Sequence, residues 1–303
     1  MKRSIVAIAL YAILTSSASA QTLGASMAYF DDNFLTSLRE AMTARAQEVG
    51  ASIQFEDAQG DVGKQLSQLQ NFIAQGVDAI VMNPVDTSAT PRMTKLATEA
   101  GIPLVYVNRQ PEEQLPEGVI YVGSDENVSG KLQAEEIARL LNNEGKIVIM
   151  MGELATNAAT LRTEGVEKVA AQHEGMEIVE KQTANWQRNE AIDLMNNWLV
   201  SGIEMDAIAA NNDEMAIGAI IALQQAGRDP KELVIAGVDA TPDGLAEVAR
   251  GNLDVTVFQD ARGQGRAVVD SSVSLINGEP VDTYVMVPFE LVTPENYKEF
   301  LDR

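Results

Sequence analysis

The sequence predicts an α/β protein made of two doubly wound, parallel-sheet lobes joined by more than one crossing of the chain. Three observations carry this. Short, almost wholly apolar runs alternate with amphipathic stretches of helical period, the pattern of parallel strands covered by helices on both faces. About ten such strands are more than one open sheet of ordinary size comfortably holds. Two strand-like runs, Leu104–Asn108 and Ile120–Gly123, are separated only by a loop holding Pro111 and Pro116. Parallel neighbours in one sheet need a crossover, usually helical, so its absence marks the place where the chain changes lobe.

The expected strands are, in order, Leu23–Tyr29, Ser52–Glu56, Ala79–Asn83, Leu104–Asn108, Ile120–Gly123, Lys146–Met151, Glu177–Gln182, Ala207–Ala210, Val234–Val238 and Asp254–Phe258. Between them the apolar positions fall at helical spacing over Phe34–Val49, Val62–Gln75, Ser88–Ala100, Gly130–Asn142, Leu161–Gln172, Glu190–Ser201, Glu214–Ala226 and Pro242–Arg250. Gly50, Gly76, Gly101 and Gly227 stand just past helical runs, where a C-terminal cap wants positive φ. Thr241 followed by Pro242 reads as an N-cap with proline at the first helical position. No repeat, low-complexity tract or charged linker interrupts the pattern.

Residues 1–20 have the form of a secretory signal peptide. Lys2 and Arg3 are the basic start, Ser4–Leu14 the apolar core, and Ala18-Ser19-Ala20 the small-x-small cleavage pattern. The apolar core is about half of the roughly 20 residues that span a bilayer. Cleavage after Ala20 and a periplasmic destination are therefore expected.

Composition excludes several functions. The 303 residues contain no cysteine and one histidine, His173, which removes thiolate chemistry and leaves no material for a zinc site or a His-based triad. The net charge of −22 would repel a polyanion, so nucleic acid is not an expected partner. A P-loop pattern is absent. Gly263-Gln264-Gly265 lacks the third glycine of a dinucleotide fingerprint and reads as a helix start, while Asp239-Ala240-Thr241-Pro242-Asp243-Gly244 lacks the ligand series of a calcium loop. No cofactor and no metal are expected. His173 lies at a polar helix end, where a dipole contact explains it. Trp198 falls among Leu194 and Leu199 and reads as core, and Asp213, Glu214 and Asp243 read as helix-capping or solvent-facing acids.

What remains is a set of polar and aromatic residues at the carboxyl ends of strands, where open α/β sheets place ligands. These are Phe30-Asp31-Asp32-Asn33-Phe34, Asn108-Arg109-Gln110, Thr156 to Arg162, Ala184-Asn185-Trp186, Asn211-Asn212-Asp213-Glu214, Gly237-Val238-Asp239 and Phe258-Gln259-Asp260. Such a mixture suits a neutral polyhydroxylated ring. Each hydroxyl donates and accepts, so Asp and Asn oxygens can take its protons while Arg and amide N–H groups donate to its oxygen. Aromatic rings such as Phe34 and Trp186 can cover its C–H faces.

At these residues the chain resembles the periplasmic binding proteins of the ribose/galactose type (type I, cluster B), the soluble partners of ABC sugar importers. The resemblance covers nearly the whole mature chain. It rests on Asn83-Pro84-Val85-Asp86, Asn108-Arg109-Gln110, Gly123-Ser124-Asp125-Glu126-Asn127, Asn212-Asp213-Glu214-Met215-Ala216-Ile217-Gly218-Ala219 and Gly237 to Gly244, in order and in register. It implies a type I fold whose hinge has three crossings, near Ser124–Asp125, Gln259–Asp260 and Val287–Phe289. The lobes would be 21–124 plus 260–288 and 125–259 plus 289–303. It also implies a ligand site of Asp32, Phe34, Leu35, Asn108 and Arg109 from the first lobe and Arg162, Trp186, Asn212 and Asp239 from the second, with Gln259 at a hinge. Arg109, Arg162 and Asp239 would anchor hydroxyls, Phe34 and Trp186 would stack, and Leu35 would add apolar contact.

The departures bear on the ligand. Ribose-binding relatives commonly carry Asp at the position of Asn108, Asn at that of Asp32, and aromatics at those of Leu35 and Val238. Phe30-Asp31-Asp32-Asn33-Phe34 and Thr156 to Gly165 look more like the inositol- or rhizopine-binding branch, so myo-inositol or a related cyclic polyol is favoured over pentoses and hexoses. Implied partners are an inner-membrane ABC permease and, as a further candidate, a chemoreceptor, with the protein itself a monomer. Two rivals fare worse. A LacI-type regulator needs a DNA-binding headpiece and a basic surface, and a periplasmic sugar-modifying enzyme needs a nucleophile and base that the sequence does not single out.

Overall fold

The computed structural model describes residues 20–111 and 114–303. The expected signal peptide thus lies, but for Ala20, outside the described residues. The first half contains β1 (Thr22–Met27), α1 (Asn33–Val49), β2 (Ser52–Asp57), α2 (Val62–Gln75), β3 (Ala79–Met82), α3 (Thr90–Ala100), β4 (Leu104–Val107) and β5 (Val119–Gly123). The second contains α4 (Glu126–Leu140), β6 (Glu144–Met151), α5 (Asn157–Ala170), β7 (Gly175–Thr183), α6 (Arg188–Val200), β8 (Ala207–Ala210), α7 (Asp213–Gln225), β9 (Val234–Ala236), α8 (Pro242–Arg250) and β10 (Thr256–Gln259). The chain then returns as α9 (Ala261–Ile276) and β11 (Tyr284–Met286) and ends with β12 (Phe289–Val292).

These strands build two sheets. The first is wholly parallel, with order β11-β5-β4-β3-β1-β2. The second has the parallel order β7-β6-β8-β9. Single bridges from Ala236 to Val255 and from Asp239 to Phe258 attach β10, which carries β12 antiparallel beside it. The chain therefore passes between sheets three times: from β5 into α4, from β10 into α9, and from β11 into β12. The expected change of lobe between Leu104–Asn108 and Ile120–Gly123 is corrected, since β4 and β5 are parallel neighbours in the first sheet. α9 packs on α1 in the first half.

The apolar runs form strands because each sheet buries both faces. On β1 the side chains of Leu23, Ala25 and Met27 enter a core with Leu38 and Met42 of α1 and Val268 of α9. On the opposite face Ile80, Met82, Leu104 and Tyr106 pack with Phe72 of α2 and Met93 of α3. The second sheet repeats this with Val148, Met150 and Ile208 on one side and Ile147, Ile149 and Ala209 on the other. Period-two alternation within continuously apolar strands is what a doubly covered sheet requires. Trp198 lies in this core.

Several boundaries differ from the sequence reading for a shared reason. α4, α5 and α6 begin two to four residues earlier than their apolar periodicity suggests, because Asp125, Thr156 and Gln187 end the preceding loops and the first turns are polar. α9, β11 and β12 were not expected as elements. α9 carries Gly263, Gly265 and three serines, and β11 leaves Tyr284 and Met286 exposed at the sheet edge. Gly263-Gln264-Gly265 is the start of α9, with Asp260 accepting from Gly263 N at 2.7 Å. Thr241 caps α8 as read, accepting from Gly244 N.

One close approach fixes the geometry of the second half. α4 and α5 cross at Gly130 and Gly165, and a Cβ on Gly130 would run into the backbone carbonyl of Arg162. Only glycine lets the two backbones come so near, and that closeness places the α5 side chain Arg162 beside the first turn of α4. Gly130→Ala is expected to destabilise the fold by about 1–3 kcal/mol through overpacking, read as a lower urea midpoint with unchanged slope.

Candidate functional site

A small cavity of about 40 Å³ lies between the two sheets at the carboxyl ends of their strands, lined by Asp32, Phe34, Leu35, Asn108, Arg109, Glu126, Ala158, Arg162, Trp186, Asn212, Asp239 and Gln259. All ten residues singled out from the sequence face it, and two more join them.

From the first half, Asp32 caps α1, its Oδ1 accepting from Leu35 N at 2.7 Å. That bond engages one carboxylate oxygen, and the residue lines the cavity. Desolvation by the surrounding protein pushes Asp32 above the ordinary carboxylate range, against the pull of Arg109. Phe34 and Leu35 follow in the first turn, both buried at the top of the β1–α1 core. Asn108 ends β4 with φ of 65°, and its Oδ1 accepts from Asn83 Nδ2 at 3.3 Å. Arg109 donates from Nη1 to the carbonyls of Pro84 at 3.0 Å and Val85 at 3.3 Å. Two backbone acceptors on one nitrogen fix the guanidinium plane, so its remaining donors are pre-aimed.

The second half contributes an ionic cluster. Arg162 is almost wholly buried; its Nε donates to Glu126 Oε2 at 2.6 Å and its Nη1 to Asn211 O at 2.6 Å. Its Nη2 reaches Glu126 Oε1 and Gln259 Oε1, each at 3.3 Å. Asp239 Oδ1 is 3.6 Å from Nη1, too long for a hydrogen bond. Burial opposes the Arg162 charge, but Glu126 and Asp239 hold its pKa above the usual guanidinium value. Burial pushes Asp239 well above the carboxylate range; Arg162 opposes this, and Asp213, Asp32 and Glu126 add to it. Asp239 is thus a buried carboxylate whose nearest cation is already committed elsewhere.

Trp186, with φ of 65°, lays its ring over Gly152, where any Cβ would collide with the indole. The Arg162 guanidinium carbon sits 5.5 Å from the ring centroid, within cation–π range. Asn212 lines the wall with its side chain engaged: Oδ1 caps α7 at Met215 N, 3.0 Å away, and Nδ2 donates to Trp186 O at 3.2 Å. Among the described residues three buried donors, Trp186 Nε1, Asn211 Nδ2 and Gln259 Nε2, have no partner, and Trp186 and Gln259 line the cavity. Buried N–H groups are rarely left so.

Neither Glu126 nor Ala158 is assigned a ligand role by sequence alone. Ala158 lies in the strand-end run Thr156 to Arg162, and Glu126 in the segment Gly123 to Asn127, which carries the resemblance beside the first crossing. The available signal was an acid in a helical first turn next to a hinge, opposite an arginine without a named partner. The reading of Asp213 as a helix cap or a solvent-facing acid is corrected. It is fully buried behind Asp239, accepting from Thr241 N at 2.8 Å, Thr241 Oγ1 at 3.3 Å and Thr256 Oγ1 at 2.7 Å. Asn212, one residue earlier, holds the capping position, so the α7 start turns Asp213 inward. Glu214 and Asp243 instead pair with Arg188 at 2.8 Å and 2.7 Å.

Burial pushes Asp213 from 3.8 up to about 7, against three hydrogen bonds that favour its carboxylate form. A carboxyl raised in the folded state stabilises the fold at low pH and loses that contribution as pH rises through its folded value. Asp213→Asn is therefore expected to gain stability relative to the native chain as pH rises from about 4 to about 7. Melting curves across that range would check it, and a pH-independent difference would contradict it.

Comparisons with known proteins agree with this geometry. Residues 23–280 match the periplasmic binding protein domain family. A Rhizobium meliloti protein named "Putative rhizopine-binding protein" is 54% identical over 99% of both chains. A solute-binding protein of an ABC transporter from Bacillus halodurans, solved with bound myo-inositol, is 44% identical, with 95% of this chain and 99% of that one covered and a TM-score of 0.90. A Caulobacter myo-inositol binding protein, also solved with myo-inositol, is 27% identical over 94% of this chain and 97% of that one, with a TM-score of 0.88.

Proposed function

This chain belongs to the periplasmic binding protein family, and from that premise we propose that it captures myo-inositol or a closely related cyclic polyol between its two halves for an ABC importer. The coarser statement follows from family and fold together: it is a sugar- or polyol-binding protein of the periplasm, and not an enzyme. The observation that carries the finer reading is the composition of the cavity wall. Unpaired donors at Trp186 Nε1 and Gln259 Nε2 and a fixed fork at Arg109 stand beside the under-paired carboxylates Asp32 and Asp239.

A ring carrying a hydroxyl on every carbon is both donor and acceptor around its whole rim, so it can satisfy both classes at once. Hydrogen bonds involving a charged partner contribute about 1.5–3 kcal/mol each, so a micromolar affinity, about −8 kcal/mol, calls for several of them together with ring stacking once binding costs are met. Relatives solved with myo-inositol support the same choice.

Capture works by closure. Residues 21–124 with 260–288 form one lobe, and 125–259 with 289–303 the other, so a polyol touches both walls only when they meet. The solute stabilises the closed form by that difference in contact, and a permease in the inner membrane reads the closed shape. The working protein is a monomer released after Ala20, and a chemoreceptor is a second reader of the same closed surface.

A thermal-shift screen over inositols, pentoses, hexoses and alditols should raise the melting point most with myo-inositol or a near relative; a larger shift with ribose or galactose would reassign the ligand. Asp239→Ala or Arg109→Ala should weaken binding about tenfold or more, with the fold intact by circular dichroism. Unchanged affinity in both would remove these residues from the site.

A further inference from the structure

Glu153 lines no part of the cavity, yet its carboxylate is where the two halves hold each other. It lies in the loop between β6 and α5 in the second half, and both its partners belong to the first. Oε1 accepts from the Tyr29 hydroxyl at 2.5 Å, and Oε2 lies 3.3 Å from Arg109 Nη1. The Tyr29 hydroxyl is pushed well above its ordinary pKa by burial and by Glu153, so it stays a donor. The Glu153 and Arg109 side chains are only 15% and 7% exposed, which makes this pair less screened than a surface salt bridge.

The same loop reaches across twice more. Ala155 O accepts from Thr87 N at 3.0 Å and from Thr87 Oγ1 at 3.3 Å. At the start of α5, Asn157 Nδ2 donates to Gln110 O at 2.9 Å. One segment thus clasps three loops of the first half, following β1, β3 and β4. Outside this strap, among the described residues, two isolated hydrogen bonds join the halves, from Asn33 Nδ2 to Glu214 Oε1 at 2.7 Å and from Arg262 Nη1 to Asp302 O at 2.9 Å. The strap is one-sided, and its one charged member grips the arginine that the cavity uses.

We infer that Glu153 is an affinity-determining residue that never touches the solute: through Tyr29 and Arg109 it latches the closed form. The inference rests on the proposed capture of a polyol between the halves. Its bonds to Tyr29 and Arg109 exist only when the lobes meet, so they add to the closed form and nothing to the open one. A solute that binds the closed form then shows its intrinsic dissociation constant divided by the closed fraction, so a smaller closed fraction weakens binding. Arg109 keeps the Pro84 and Val85 carbonyls when Glu153 is lost, so its place in the wall survives while the latch does not.

The test uses the mature chain with Glu153→Ala, Tyr29→Phe and both together, read by calorimetric titration with myo-inositol, by dissociation rate, and by small-angle scattering without solute. Glu153→Ala should weaken binding about tenfold, mainly through faster release, at a melting temperature near that of the unaltered protein. Its solute-free radius of gyration should exceed that of the unaltered protein. Tyr29→Phe should weaken binding about threefold, and the double variant should fall short of the product of the two because both changes break one contact. Native affinity and native radius in Glu153→Ala, or strictly multiplicative effects, would overturn the latch. Failure of the unaltered chain to bind any polyol would sink the proposed ligand instead, and the scattering comparison, which needs no solute, would still decide the latch.

Discussion

The second half of the cavity is organised around one buried cation. Arg162 is enclosed on every side, and a guanidinium in that position must be fully paired or it costs several kcal/mol. Glu126 supplies the strong pair, and the carbonyl of Asn211 and the amide oxygen of Gln259 take further donors. Each partner lies on a different part of the fold: Glu126 just after the first crossing, Asn211 at the end of β8, and Gln259 just before the second crossing. The cation therefore ties two hinge strands and the sheet together at the cavity. It depends in turn on the glycine contact of α4 with α5, because a wider spacing would carry Arg162 out of reach of Glu126.

Asp239 is the counterpart. Arg162 is spent on Glu126, so the Asp239 carboxyl is under-compensated, and burial together with three other acids disfavours its charged form. Its own backbone is strained, with φ of 113°, and Ala240 follows at 51°. Asn108, Asn185 and Trp186 also have positive φ. Such conformations cost of order 1–3 kcal/mol each and gather where function repays them. Here Asp213 holds the strained turn from behind through Thr241 and Thr256, so a second buried acid serves the placement of the first.

The fold was legible wherever burial imposed a period. β1, β3, β4, β6 and β8 are apolar because both faces are covered, and the helix between each pair is amphipathic because only one face is. The short connection between Leu104–Asn108 and Ile120–Gly123 misled, because β4 and β5 pair in parallel within one sheet and the chain leaves it only after β5. α9, β11 and β12 were not legible. α9 approaches α1 closely at Gly265, beside Ala41, and its buried Val268 and Val269 are interspersed with buried Gln264, Ser271 and Ser272, which blurs the apolar stripe, while β11 is an edge strand with two exposed side chains. Among cavity residues, those at strand ends were legible because parallel sheets leave their ligand positions there. Glu126 escaped notice because its importance lies in a partner 36 residues away.

The sequence by itself determined the alternation of strand and helix, the two-lobed organisation and the residue types at the strand ends, since these follow from periodicity and local turn chemistry. Only the tertiary structure decided which acids pair and which remain free. Asp213, Asp239, Glu126 and Glu153 are alike as carboxylates; one anchors a turn, one faces the cavity, one neutralises Arg162 and one bridges the halves. Coulomb and desolvation energies depend on distances and burial in three dimensions, and these are set by how distant segments pack, which local pattern does not encode.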